Sequence, residues 1–286
     1  MNNPYLKFVS EYARLINEGS GHQLGGFQSV ARSSIPKEAP RALVFSPHPD
    51  DECIVGALPL RLLRELKMNV INVAVTLGSR KDRQMERLGE LRNACDYLGF
   101  GLIQTSESGL EKINPKSRKQ DPAHWSNAVQ IVAGIIADNQ PHVIFIPHES
   151  DWNSTHIGTH FLVADALQTL PESFCGWVCH TEFWAPMNDP NLMIETSVAD
   201  LADLVAATSF HVGEVSRNPY HLRLPAWMQD NVRRGGELVG GQGAEPPRFA
   251  FATLYRLQKW VHRKLEPGQK AGKFVSCNDS LKLIFG

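Results

Sequence analysis

Ala42-Leu43-Val44-Phe45-Ser46-Pro47-His48-Pro49-Asp50-Asp51-Glu52 carries an apolar run directly into a histidine and adjacent carboxylates. Four consecutive apolar residues read as a buried strand, and the segment beyond Glu52 is compatible with a helix. His48, Asp50 and Asp51 therefore fall at a strand end, where an open α/β sheet presents side chains to a ligand. Imidazole and carboxylate together can hold a divalent metal. Of two neighbouring carboxylates, one can serve as ligand and the other as general base.

The surrounding chain repeats this alternation. Residues 41–46 and 70–75 read as strands, with 52–67 between them as a helix despite Pro59. Residues 81–98 form a charged amphipathic helix closed by Gly99. A polar loop with Lys112, Lys116, Arg118, Lys119 and Asp121 precedes a helix over 126–138 and a strand over 142–146. A helix over 155–170, a strand over 176–183 and a helix over 198–209 complete the regular pattern. Strand–helix alternation across 41–170 predicts an α/β fold, a mostly parallel sheet covered on both faces. Residues 1–20 suit a short amphipathic helix, and 19–35 a wrapping loop. The glycine-rich stretch 235–243 lacks the strand–turn–helix setting of a phosphate loop and reads as a connector or a mobile loop.

Bulk composition narrows the functional classes. A formal charge of -1 and a pI near 6.8 give no general attraction to nucleic acid or an anionic membrane. No apolar run is long enough to span a bilayer, and the N-terminal segment lacks a secretory pattern. Five dispersed cysteines suggest free thiols in a reducing compartment, hence a cytoplasmic protein. Cys175 and Cys179 are one residue too far apart for a CxxC pair. A homo-oligomer is compatible with this composition.

His48 and Asp51 bracket Pro49-Asp50 and converge if the segment turns into a helix. A third ligand would complete a catalytic zinc pattern with one open position. Past the strand Val143-Ile144-Phe145-Ile146 lie Asp151, Trp152, Asn153 and His156, and His156 is the favoured third ligand. His160, one helical turn on, is held in reserve, with a hydrogen-bonded helix histidine as its plain alternative. On the residues alone, His48 and Asp51 serve equally well to stabilise a turn, and His156 to start a helix.

Three motifs shift that balance. Ser46-Pro47-His48-Pro49-Asp50-Asp51-Glu52, the turn Thr76-Leu77-Gly78, and the helix set Arg87, Glu90, Leu91, Ala94, Leu98 and Gly99 resemble the LmbE-like, or PIG-L-like, N-acetylglucosamine deacetylases. Thr181-Glu182-Phe183-Trp184 and Leu192-Met193-Ile194-Glu195-Thr196 are similar to later segments of that family. Thr155 stands where the family commonly has Asp, and Asn153 where it often has His or Asn.

The resemblance implies a Rossmann-like three-layer sandwich, Zn2+ as cofactor, and hydrolysis of an N-acetyl group on an amino sugar or glycoconjugate. Another small acylated amine is the alternative substrate. Under this reading Asp50 is the acid/base, and His48, Asp51 and His156 hold the metal. Asn153, Trp152, Trp184 and Arg80 are candidates for substrate or oxyanion contact, with Lys81 and Arg83 near the pocket mouth. Asp151, Glu182 and His160 are candidates for supporting the ligands. The expected division is an N-terminal helix and loop over 1–40, a deacetylase domain over 41–260, and a C-terminal extension over 261–286.

Overall fold

The computed structural model describes residues 3–29, 34–269 and 271–286. Residues 30–33 of the expected wrapping loop, and the first two of the expected N-terminal helix, lie outside the described residues. The chain begins with α1 (Tyr5–Gly19), then β1 (Arg41–Ser46), α2 (Asp51–Ile54), α3 (Ala57–Glu65) and β2 (Asn69–Ala74). Next come α4 (Gln84–Leu98), β3 (Gly101–Gln104), α5 (Pro115–Gln120), α6 (Pro122–Asn139), β4 (Val143–Pro147), α7 (Ser154–Thr169) and β5 (Gly176–Thr181). The last part contains β6 (Leu192–Glu195), α8 (Val198–Thr208), α9 (Val212–Val215), α10 (Leu224–Gly240), β7 (Ala252–Val261), β8 (Lys264–Pro267), β9 (Lys273–Val275) and α11 (Lys282–Phe285).

One sheet runs in the order β3-β2-β1-β4-β5-β7-β6-β9, with β8 added to β7. β1 pairs in parallel with both β2 and β4, and β4 with β5. β7 runs antiparallel to β5 and β6, between which it is inserted. Strand pleating explains the layers. Ala42 and Val44 point into a core formed with α2, α3, α4 and α8. Their neighbours Leu43 and Phe45 point the other way, onto Trp125, Val132 and Ile136 of α6 and Leu162 and Ala166 of α7. The result is the expected helix–sheet–helix sandwich with a mostly parallel sheet.

Two local expectations need correction, and one strand was not anticipated. The helix expected over 52–67 is two helices, broken at Gly56, whose φ of +91° suits glycine. A Cβ there would lie 2.3 Å from Thr253 Cγ2 and 2.5 Å from the Tyr255 hydroxyl. The same two side chains accept from the first amides of α3, Ala57 N to Thr253 Oγ1 and Leu58 N to Tyr255 OH, each 3.2 Å. Pro59 then falls in the first turn of α3, where no donor is missed. The glycine-rich stretch is not a loop at its start: Gly235 and Gly236 lie inside α10, packed against Met193 and Pro246. β3, a short edge strand, escaped the pattern reading because it has only four residues.

Candidate metal centre and its surroundings

The parallel pairing of β1 with β4 brings two distant loops together. His48 and Asp51 follow β1, whereas His156 lies in the first turn of α7, beyond β4. Asn153 fixes that turn by accepting from Thr155 N at 2.8 Å, as a helix N-cap. His48 Nδ1 lies 3.2 Å from His156 Nε2 and 3.5 Å from Asp51 Oδ2. His156 Nε2 is 3.3 Å from Asp51 Oδ2. Three ligand-type atoms thus form a nearly equilateral triangle.

The residues fit a metal. Bonds of 2.0–2.2 Å in a tetrahedral site separate ligand atoms by roughly 3.3–3.6 Å; the sides of 3.3 and 3.5 Å fall in that range and the third, 3.2 Å, lies just below it. Asp51 Oδ1 and His156 Nδ1 are buried without a hydrogen-bond partner among the described residues. Asp151 Oδ2 lies 3.6 Å behind His156 Nδ1, where a carboxylate can orient a ligating imidazole. Asp151 is itself held by the amides of Asn153 at 2.8 Å and Trp184 at 3.2 Å.

The neighbouring charges shift one another's titration. Burial works against ionising Asp51, but His156 and His48 pull its carboxyl well below the ordinary range. Burial likewise disfavours the His156 cation, yet Asp51 and Asp151 raise it to about 10. Asp50 moves the other way: burial and the Asp51 charge push it up to about 6. Two adjacent carboxylates with divergent affinities for a proton suit different roles.

Asp50 carries a left-handed backbone, φ +119°. Its amide donates to Glu52 Oε2 at 2.9 Å, and Glu52 Oε1 is 2.7 Å from His211 Nε2. Its Oδ2 accepts from the hydroxyl of Tyr220. Arg87 donates to Pro49 O at 2.8 Å, bracing the same turn. No motif in the sequence marks Tyr220 or His211 for this role. Both come from the segment after α8, and no spacing relates them to residues 48–52.

The other sequence candidates are dispersed. A cavity of about 580 Å³ opens beside His48, lined by Thr76, Gly78, Lys81, Arg87 and Asn153 among others. That is within the roughly 300–1,000 Å³ usual for small-ligand sites. Lys81 lines it while pairing with Glu111 at 3.0 Å. Arg80 is outside this lining and pairs with Asp82, and Arg83 pairs with Glu214. Trp184 packs edge-on against Tyr220 at 5.6 Å, whereas Trp152 is 77% exposed. Glu182 faces Arg234 at 2.7 Å and accepts from Met187 N.

His160 Nδ1 bonds Pro147 O at 2.9 Å, and the ring neighbours His180 and Glu149. The Arg256 guanidinium joins that second group, bonding Glu149 and approaching His180 Nδ1 at 3.3 Å. A positive charge there opposes a cation. Burial raises the Glu149 carboxyl, but Arg256 overrides it and holds the group at about 2, against an ordinary 4.5. The pair's contribution to stability is therefore complete above pH 4.5 and lost as pH falls through about 2. Glu149→Gln protein should lose less thermal stability than the unsubstituted protein across that interval. Equal losses in melting curves at matched pH would contradict this.

An α/β fold with two histidines and an aspartate gathered at strand ends defines the class: a Rossmann-like protein with a candidate metal centre. Residues 43–167 match the model of the PIG-L family, described as GlcNAc-PI de-N-acetylase, so the resemblance read from the motifs holds over that segment. The chain is 25% identical over 175 residues to the 1D-myo-inositol 2-acetamido-2-deoxy-alpha-D-glucopyranoside deacetylase of Mycolicibacterium smegmatis, covering 51% of this chain and 59% of that one. The match thus spans little more than half of that relative. The fold is similar to N,N'-diacetylchitobiose deacetylase from Pyrococcus horikoshii, with a TM-score of 0.54 and 17% identity over 90% of this chain and 93% of that one. It is also similar to the 4-carboxy-2-hydroxymuconate hydratase of Pseudomonas putida, with a TM-score of 0.55 and 16% identity over 76% and 95%. Two chemistries on one fold mean that the site, not the fold, must carry the functional argument.

Proposed function

We propose that this chain is a metal-dependent hydrolase that removes the N-acetyl group from an N-acetylglucosamine-type sugar or glycoconjugate. The triangle of His48, Asp51 and His156, with the Asp50 carboxyl beside it, carries this reading. A zinc ion held by the three ligands would polarise the acyl carbonyl and acidify a water. Asp50 takes the proton of the attacking water and returns it to the departing amine. Asn153 commits its Oδ1 to the α7 cap, which leaves its amide N–H groups to donate to the developing oxyanion.

The activities of the Mycolicibacterium relative and the Pyrococcus neighbour support an acetylated amino sugar as substrate class. The polar cavity beside His48 suits a hydroxylated ligand. Acetate release should therefore be faster from N-acetylglucosamine conjugates and chitobiose-like sugars than from simple N-acetyl amines. Chelation should stop it and zinc restore it. Hydrolysis of simple acylated amines with none of the sugars would favour the broader amidohydrolase instead.

A further inference from the structure

The segment after α8 grips the catalytic turn at both ends. His211 fixes Glu52, and Glu52 Oε2 in turn holds the backbone amide of Asp50. Nine residues later, the Tyr220 hydroxyl donates to the Asp50 carboxylate itself. Between these contacts the segment is tied to α4 and to the residue before it: Gly213 N donates to Glu90 Oε1 at 3.0 Å, and Arg83 donates to Glu214 Oε1 at 3.0 Å. Tyr220 is half-buried and wedged edge-on against Trp184. Its hydroxyl is thus placed by the fold and is not a loose surface group.

Asp50 needs such placement. It precedes α2 on a left-handed backbone, so no helical geometry fixes its side-chain direction. Its neighbour Asp51 has committed Oδ2 to the histidine triangle and repels a second carboxylate. The hydroxyl of Tyr220 occupies Oδ2 of Asp50, and Oδ1 takes no hydrogen bond from the described residues. We infer that Tyr220 is a positioning residue: it locks the Asp50 carboxylate so that Oδ1 is the oxygen offered to the attacking water. This deepens the deacetylase reading and rests on it.

The test uses the full chain, zinc-loaded and carrying Tyr220→Phe, Asp50→Asn or both, with kcat, KM and zinc content measured. A lost hydrogen bond to a charged group should lower kcat of Tyr220→Phe about 10- to 100-fold. KM should stay within about two-fold, since the bond is not made to substrate. Zinc content should be unchanged. Added to Asp50→Asn, the tyrosine change should cost nothing more, because the two act through one group. Equal losses in both backgrounds, or a raised KM with kcat preserved, would overturn the inference. A crystal structure of zinc-loaded Tyr220→Phe gives an arm independent of substrate. The Asp50 carboxylate should turn from its present direction. An unmoved carboxylate overturns the inference even if the wild-type protein deacetylates no sugar and the functional reading falls.

Discussion

His156→Ala protein is expected to emerge from purification without its metal and without activity. The imidazole supplies one corner of the ligand triangle, 3.2 Å from His48 Nδ1 and 3.3 Å from Asp51 Oδ2. It is completely buried, so water cannot readily take its place. Its loss also strips Asp151 of the ring that it faces at 3.6 Å. Removing an outer partner of a ligand typically costs ~10–100-fold in affinity, and removing the ligand itself should cost more. Metal analysis after desalting, and acetate release with excess zinc, check both halves. Stoichiometric zinc with full turnover would remove His156 from the ligand set.

Asp50→Asn separates chemistry from metal binding. The variant should keep its zinc and lose ~10²–10⁴-fold in turnover, the usual cost of a missing acid/base. Asparagine is well suited to the comparison. It tolerates the left-handed region better than most residues, so φ +119° should persist. Its side-chain oxygen can still accept from Tyr220, so the bond to the segment after α8 survives. What disappears is the ability to take a proton. Normal turnover would exclude Asp50 as the base. Loss of zinc would show that it acts as a ligand or a support for one.

What was legible in the sequence is what short-range pattern can encode. The run 42–45 marked a strand, and a strand end predicts where exposed chemistry sits. The run 143–146 did the same for the loop bearing His156. Parallel pairing of these two strands then completes the candidate triangle. Contacts made across the fold left no local trace. Tyr220 reaches Asp50 over 170 residues of chain, and His211 reaches Glu52 over 159. Gly56 reads as an ordinary helix interior until Thr253 and Tyr255 are known to press on it. Glu182 offered a carboxylate at a strand end, but Arg234, far along the chain, claims it.

The insertion of β7 between β5 and β6 has a consequence for the order in which the molecule can be completed. Thr253 and Tyr255 cap the helix that follows the metal-loop turn, and Tyr255 also donates to Val55 O at 2.9 Å. On a ribosome, the stretch that carries the candidate ligands is made long before the strand that satisfies it. Until residue 255 has emerged, the start of α3 keeps two unanswered amides and the sheet lacks the strand that joins its two halves. Closing loops of almost two hundred residues is slow. The amides that open α3, inside the segment from 43 to 167, thus depend on side chains that lie outside it.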